Sequence, residues 1–242
     1  YQDYKNIAKA FEMVNLDVVS YFPKMVTASE AVLTEQEKSE GVMLIDIADD
    51  ATFITLWSKG ELVNTRVLPL GGRLLSTQIA TLWEIDLLDA EKVKEQYGSL
   101  ERNLRFEDEL IPLVNRNGNK TLQIKRQEFQ DKFSEMAKAW LSELLSQADA
   151  FAREERVFYP HCVYTGGAVS LDGFLEFLHF EFSRQGRIGH TRRVDAPNEL
   201  LVNPSLTPAI GMFSWLAYGS GEKAKLIEER GFLQKTLSSA RG

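Results

Sequence analysis

The chain has 242 residues, 44% hydrophobic and 26% charged, with a formal net charge of -7 at neutral pH. That composition is globular, the length allows a sizeable core, and the acidic balance argues against nucleic acid as the main partner. No run approaches the roughly 18 apolar residues a membrane-spanning helix needs, and one cysteine, Cys162, excludes a disulfide framework or a Cys-rich zinc site within one chain.

A lone cysteine fits a reducing, cytosolic compartment. Cys162 sits in an apolar run and reads as a small buried residue, not a nucleophile. No signal peptide is visible, and the start at Tyr1 rather than Met suggests a fragment.

Residues 1–15 predict an amphipathic helix with Ile7, Phe11 and Val14 on one face. Residues 17–22 read as a short β-type run, broken by Pro23. A second helical segment spans residues 24–36, runs into polar residues and ends at Gly41.

The pattern then changes. Residues 42–47, 53–57 and 62–70 are three short apolar runs joined by tight turns, which predicts an antiparallel meander. Gly71 and Gly72 close it and open a helix over 74–83. A further helix covers 89–97, with Asp89 as its N-cap. Residues 105–124 predict a hairpin turned at Asn117-Gly118. A long helix over 126–152 carries Phe129, Phe133, Met136, Trp140 and Leu144 as its apolar stripe.

Residues 161–164 form another short buried strand, followed by Thr165-Gly166-Gly167. Residues 171–182 read as a helix, 192–194 as a last strand, and 207–217 and 222–237 as helices. No internal repeat or low-complexity segment is present.

Three places suggest chemistry. The strand ending at Asp46 turns at once through Ile47-Ala48-Asp49-Asp50-Ala51-Thr52 into the next strand. This is either a phosphate-binding hairpin, where glycines normally let backbone N–H groups approach oxygens, or a plain acidic turn. Thr165-Gly166-Gly167-Ala168, between a strand and a helix, either lets backbone pass close to a ligand or is a simple connection. Glu91 and Lys94 share a helix face, and either reach ribose hydroxyls or form a surface ion pair worth under about 1 kcal/mol. His161, His179 and His190 lack metal-ligand spacing. No catalytic triad, nucleophile elbow, Walker A loop or dinucleotide fingerprint appears.

Taken in order, the wording of the chain resembles the FtsA family of bacterial cell-division proteins. The resemblance rests on the run from Ala28 to Lys38, Gly41-Val42 and the strand ending in Asp46. It continues in Val67-Leu68-Pro69-Leu70-Gly71-Gly72 with Thr77-Gln78-Ile79-Ala80, then in Asp89-Ala90-Glu91-Lys92-Val93-Lys94 with Tyr97-Gly98. Val163-Tyr164-Thr165-Gly166-Gly167-Ala168, Arg187-Ile188-Gly189 and Ala209-Ile210-Gly211 complete it.

The resemblance implies an α/β actin-like (ribonuclease H-like) second lobe with an inserted smaller α+β subdomain. Residues 1–40 would be the tail of the first lobe, 41–81 and 153–242 the core, and 82–152 the insert. It implies ATP with Mg²⁺ as cofactor, self-association, and binding of the C-terminal tail of the tubulin-like protein FtsZ. It also implies a place in the cytoplasm at the inner face of the membrane. By position, Asp46 and Thr52 bound the second phosphate loop, Gly71 and Gly72 open the next helix, and Glu91 and Lys94 approach the ribose. Thr165, Gly166 and Gly167 would line the adenosine pocket.

The chain departs from the family at that loop. Ala48, Asp49 and Asp50 stand where the family has glycines. Side chains there obstruct close backbone approach, and each carboxylate about 4 Å from a phosphate costs roughly 4 kcal/mol at an effective dielectric of 20. Weakened nucleotide binding without efficient hydrolysis is therefore expected. A working ATPase whose Asp49 and Asp50 hold Mg²⁺, or a pilus-assembly platform of the PilM type, are the alternatives. Arg116, Lys120, Lys125 and Arg126 are candidates to meet an acidic peptide. Residues 223–237 read as a domain-closing helix, since Glu228, Glu229 and Gly231 suit a membrane anchor poorly.

Overall fold

The structure, a computed structural model, describes residues 2–18, 21–114, 121–191 and 198–218. Its centre is a five-stranded sheet in the order β3-β2-β1-β6-β7. Strands β1 (Val42–Ile47), β2 (Thr52–Ser58) and β3 (Glu61–Leu68) form the expected antiparallel meander. Strand β6 (His161–Thr165) joins β1 in parallel, with Asp46 opposite Thr165. The two-residue β7 (Arg187–Ile188) pairs with β6.

All six residues of β1 are buried, because the strand is central and both faces of the sheet are covered. Alternation sends Met43, Ile45 and Ile47 into the larger core and Val42 and Leu44 into the smaller one. Helix α2 (Lys24–Val32) covers the smaller core with Ala28, Ala31 and Val32. The Trp57 indole donates to Ser29 Oγ at 3.1 Å, so its buried N–H is satisfied. Helix α9 (Thr207–Tyr218) packs against α2 from outside.

The larger core receives α4 (Arg73–Leu82), α5 (Leu87–Tyr97) and α6 (Arg126–Glu154). Phe129, Phe133, Trp140 and Leu144 of α6 are buried as their spacing predicts, while Met136 is partly buried at the edge. Trp83 and Phe133 sit against Phe129 with ring centroids 5.3 and 5.8 Å away. Burying each such ring stabilises the fold by about 2–3 kcal/mol. The far end of α6 returns to the sheet, where the Arg66 guanidinium lies 4.3 Å from the Phe151 ring centroid. A separate hairpin, β4 (Leu110–Val114) and β5 (Thr121–Lys125), leads into α6.

Several expectations need correction. The described residues among 17–22 form no strand. The segment 24–36 is not one helix, because it breaks at Leu33 and restarts as α3 (Glu35–Glu40). A capping box causes the restart: Thr34 Oγ1 accepts from the Glu37 N–H at 3.1 Å, and Glu37 Oε2 accepts from the Thr34 N–H at 2.8 Å. Asp86, not Asp89, is the N-cap of α5, and its side chain makes no capping bond. The segment after β6 begins as a 3-10 turn (Gly167–Ser170) before α7 (Phe174–Phe182). The short α1 (Gln2–Glu12) and α8 (Asn198–Leu201) complete the described helices. The turn at Asn117-Gly118, the strand at 192–194 and the helix at 222–237 lie outside the described residues.

Candidate functional site

A cleft of ≈ 350 Å³ opens where the β1–β2 turn, the start of α4, the middle of α5 and the loop after β6 converge. Ala48, Asp49, Gly72, Glu91, Lys94 and Gly167 line it. Six residues singled out from sequence thus meet in one place, although about 120 positions separate the first from the last. Glu95 and Asp172 add acid to the same wall.

The turn is built by backbone bonds. The Ala48 N–H donates to Ala51 O at 3.0 Å and shapes the hairpin end. The Gly72 N–H donates to Ala48 O and the Arg73 N–H to Asp49 O, each at 2.9 Å. Gly71 is pressed beneath this turn, and a Cβ built on it would lie 2.0 Å from Asp49 O. Gly71 therefore serves the packing of the turn. Gly72 is less crowded: a Cβ built on it would meet Ala168 Cβ and Lys94 Nζ at 3.7 Å, an ordinary contact distance.

Asp46 and Thr52 frame the turn from behind. Thr52 is fully buried, and its hydroxyl donates to Leu70 O at 2.6 Å, locking the start of β2 to the segment just after β3. Asp46 is buried on the α2 face, with Lys24 Nζ 3.0 Å from Oδ2. Burial pushes its carboxyl above the usual carboxylate range, and the Lys24 charge pulls back part of that rise.

The opposite wall is the loop after β6. Thr165 is buried, its hydroxyl 2.8 Å from that of Thr207 and 3.2 Å from Pro204 O. Gly166 has φ +93°, and a Cβ there would fall 2.4 Å from Ile47 O and 2.6 Å from Asp46 Oδ1. Only glycine suits that position. Gly167 faces the cleft with open space around it. Thr165 and Gly166 thus hold the wall in place, and Gly167 presents it.

Glu91 and Lys94 are paired at 2.7 Å across one turn of α5. Ser76 of α4 donates to the second oxygen of Glu91, and Lys94 Nζ reaches Gly72 O at 3.4 Å. Packing of Ala90 and Val93 into the core aims both side chains at the cleft. The pair is more than a surface ion pair, since only 12% of the Lys94 side chain is exposed.

Arg73, which no local motif in the sequence marks, is the cation of the turn. Its Nε donates to Asp49 Oδ2 at 2.9 Å, its Nη2 also reaches Asp49, and Nε lies 2.7 Å from Asp50 Oδ1. Asp49 and Asp50 are thus held by one guanidinium. The signal available in sequence was a base directly after Gly71-Gly72, meaningful only once the turn is known to fold onto that helix start. Among the described residues, no group of three or more His, Cys, Asp or Glu is placed to hold a metal ion.

Of the basic candidates for an acidic partner, Lys125 is exposed. Arg126 is buried, its guanidinium 4.3 Å from the Phe106 ring centroid and 5.2 Å from that of Tyr97, with Glu109 at 3.9 Å. Burial lowers its affinity for the proton, partly offset by Glu109. It belongs to the core and not to a free surface. Arg116 and Lys120 lie outside the described residues. Cys162 is buried and burial pushes its thiol up to about 11, so it is no nucleophile.

A family model described as cell division protein FtsA matches residues 43–211, well over half of the chain. Cell division protein FtsA of Escherichia coli K12 is 26% identical over 218 residues, which cover 87% of this chain and 52% of that protein. Cell division protein FtsA of Bacillus subtilis 168 is 25% identical over 215 residues, 87% of this chain and 46% of that protein. The chain thus spans about half the length of these relatives. Among solved structures, MreB 5 of Spiroplasma citri bound to AMPPNP superposes with a TM-score of 0.63 at 16% identity, covering 96% of this chain and 66% of that one. The PilM-PilN type IV pilus biogenesis complex gives 0.62 at 19% identity, covering 86% of this chain and 56% of the matched one. At such identities the likeness establishes the fold alone, and that fold is actin-like α/β.

Proposed function

The chain belongs to the FtsA family of cell-division proteins, and from that premise we propose a division scaffold of actin-like fold that hydrolyses ATP poorly or not at all. In this reading residues 41–81 and 153–242 are the core of the second lobe, 82–152 the inserted subdomain, and 1–40 the tail of the first lobe. The protein links an FtsZ-like filament to the inner face of the cell membrane and self-associates as actin-like subunits do. Lys125 at the end of the β4–β5 hairpin remains an exposed basic candidate for the acidic FtsZ tail.

The cleft is the nucleotide site of this reading. What supports its nucleoside end is the open space beside Gly167, walled by the Glu91–Lys94 pair. Its phosphate end does not fit, and the single observation that carries this is the Arg73 clamp on Asp49 and Asp50. A phosphate chain would meet two carboxylates and the guanidinium already committed to them. No step of hydrolysis follows from such a site.

The test is ATP turnover by the full chain, run beside capture of the FtsZ C-terminal tail as a peptide. Turnover at background with saturable peptide binding supports the scaffold. Efficient turnover with Mg²⁺, abolished by Asp49→Ala, refutes it in favour of a working ATPase.

A further inference from the structure

We infer that the cleft accepts a nucleoside in preference to a nucleoside polyphosphate, because this chain's own groups already fill the place of the phosphate chain. The inference rests on the cleft being the nucleotide site, and names the ligand class that site selects.

Three independent observations carry it. First, helix α4 offers no free donor at its start, the usual place for an anion. The Gly72 N–H is spent on Ala48 O, Arg73 on Asp49 O, Leu74 on Gly71 O at 3.2 Å and Leu75 on Gly72 O at 3.1 Å. Second, the cations are spent. Lys94 is paired with Glu91 at 2.7 Å, and Arg73 is divided between Asp49 and Asp50. Third, the remaining lining charge is acidic, with Glu95 and Asp172 facing the same space. Each phosphate added to a ligand therefore meets like charge, with no free donor at the helix start to offset it. A neutral nucleoside meets no such repulsion, and the space beside Gly167 is open to it.

Arg73 follows as the residue that sets this selectivity. Paired with Asp49 and Asp50 it completes a closed turn that still carries one net negative charge. With glycines in their place, the same guanidinium is free beside the cleft and becomes a phosphate ligand.

Calorimetric titration of the full chain with adenosine, AMP, ADP and ATP, each with and without Mg²⁺, tests this, alongside an Asp49→Gly/Asp50→Gly double variant. The expected result is adenosine binding by the unaltered chain, with ATP weaker by about tenfold or more. The double variant gains about tenfold for ATP and keeps its adenosine affinity, and adding Arg73→Gln reverses most of the gain. ATP binding as tightly as adenosine to the unaltered chain, or no gain in the double variant, overturns the inference while leaving the nucleotide cleft standing. If neither adenosine nor any nucleotide binds either protein, the cleft reading itself fails and the inference falls with it.

Discussion

Arg73 donates from Nε to Asp49 Oδ2 at 2.9 Å, so the first residue of helix α4 grips the acidic turn that closes β1 onto β2. About half of each side chain is exposed. A pair this open contributes little to stability but governs the local charge. Arg73→Gln is expected to leave the urea midpoint unchanged and to weaken ATP relative to adenosine a few-fold further. A large loss of stability would show that the clamp is structural instead.

Gly71 lies under the same turn, where a built Cβ comes within 2.0 Å of Asp49 O and 2.6 Å of the Ala51 nitrogen. Both neighbours are backbone and cannot swing aside. Gly71→Ala is expected to cost about 2–3 kcal/mol in urea unfolding. Gly72→Ala, with nothing closer than 3.7 Å, is expected to fold normally. Equal stability for the two variants would contradict the packing described.

Arg187 grips Glu37 with two bonds, Nε to Oε1 and Nη2 to Oε2, each 2.7 Å, and also donates to Val32 O at 2.8 Å. Burial alone would push the Glu37 carboxyl up, but bonds from Arg187 and from the Thr34 N–H outweigh it and bring it down from 4.5 to about 2. The folded value lies below the unfolded one. Its contribution is therefore complete above pH 4.5 and is lost as pH falls through 4.5 toward about 2. Glu37→Gln is expected to flatten the stability–pH curve across that window and to cost about 1–2 kcal/mol at neutral pH. Parallel curves for the two proteins would remove Glu37 from the account.

Lys125 and Arg126 are neighbours with opposite environments, one exposed and one buried among Tyr97, Phe106 and Phe129. Arg126→Glu is expected to destabilise the chain by about 3 kcal/mol, because it buries an acid beside Glu109. Lys125→Glu is expected to leave thermal melting unchanged and to weaken binding of an acidic FtsZ-tail peptide. Unaltered peptide affinity in Lys125→Glu would take Lys125 out of the interface.

The meander, β6 and the long α6 were legible because their apolar patterns are strong and their turns are marked by glycine and polar residues. The break at Leu33 was also written in the sequence: Thr34 followed three residues later by Glu37 is a capping-box spacing. The two-residue β7 was not legible, since it exists only through pairing with β6. Residues 17–22 had β-type composition, yet the described ones pair with no strand. Glu91, Lys94 and Gly167 were singled out by type and order, but their meeting depended on how α4 and α5 pack. Asp49 and Asp50 read as unopposed charge because Arg73, 24 and 23 positions further on, becomes their partner only when the turn folds onto α4. Charge balance in a folded site is a property of contacts between distant segments, which local pattern does not encode.

The most direct trial is a structure of the full-length protein soaked with a non-hydrolysable ATP analogue and Mg²⁺. Arg73 is expected to remain on Asp49 and Asp50, with no triphosphate lying across the turn after Ile47. A triphosphate ordered against Ala48 and Gly72, with Arg73 turned from the carboxylates to the phosphates, would contradict it.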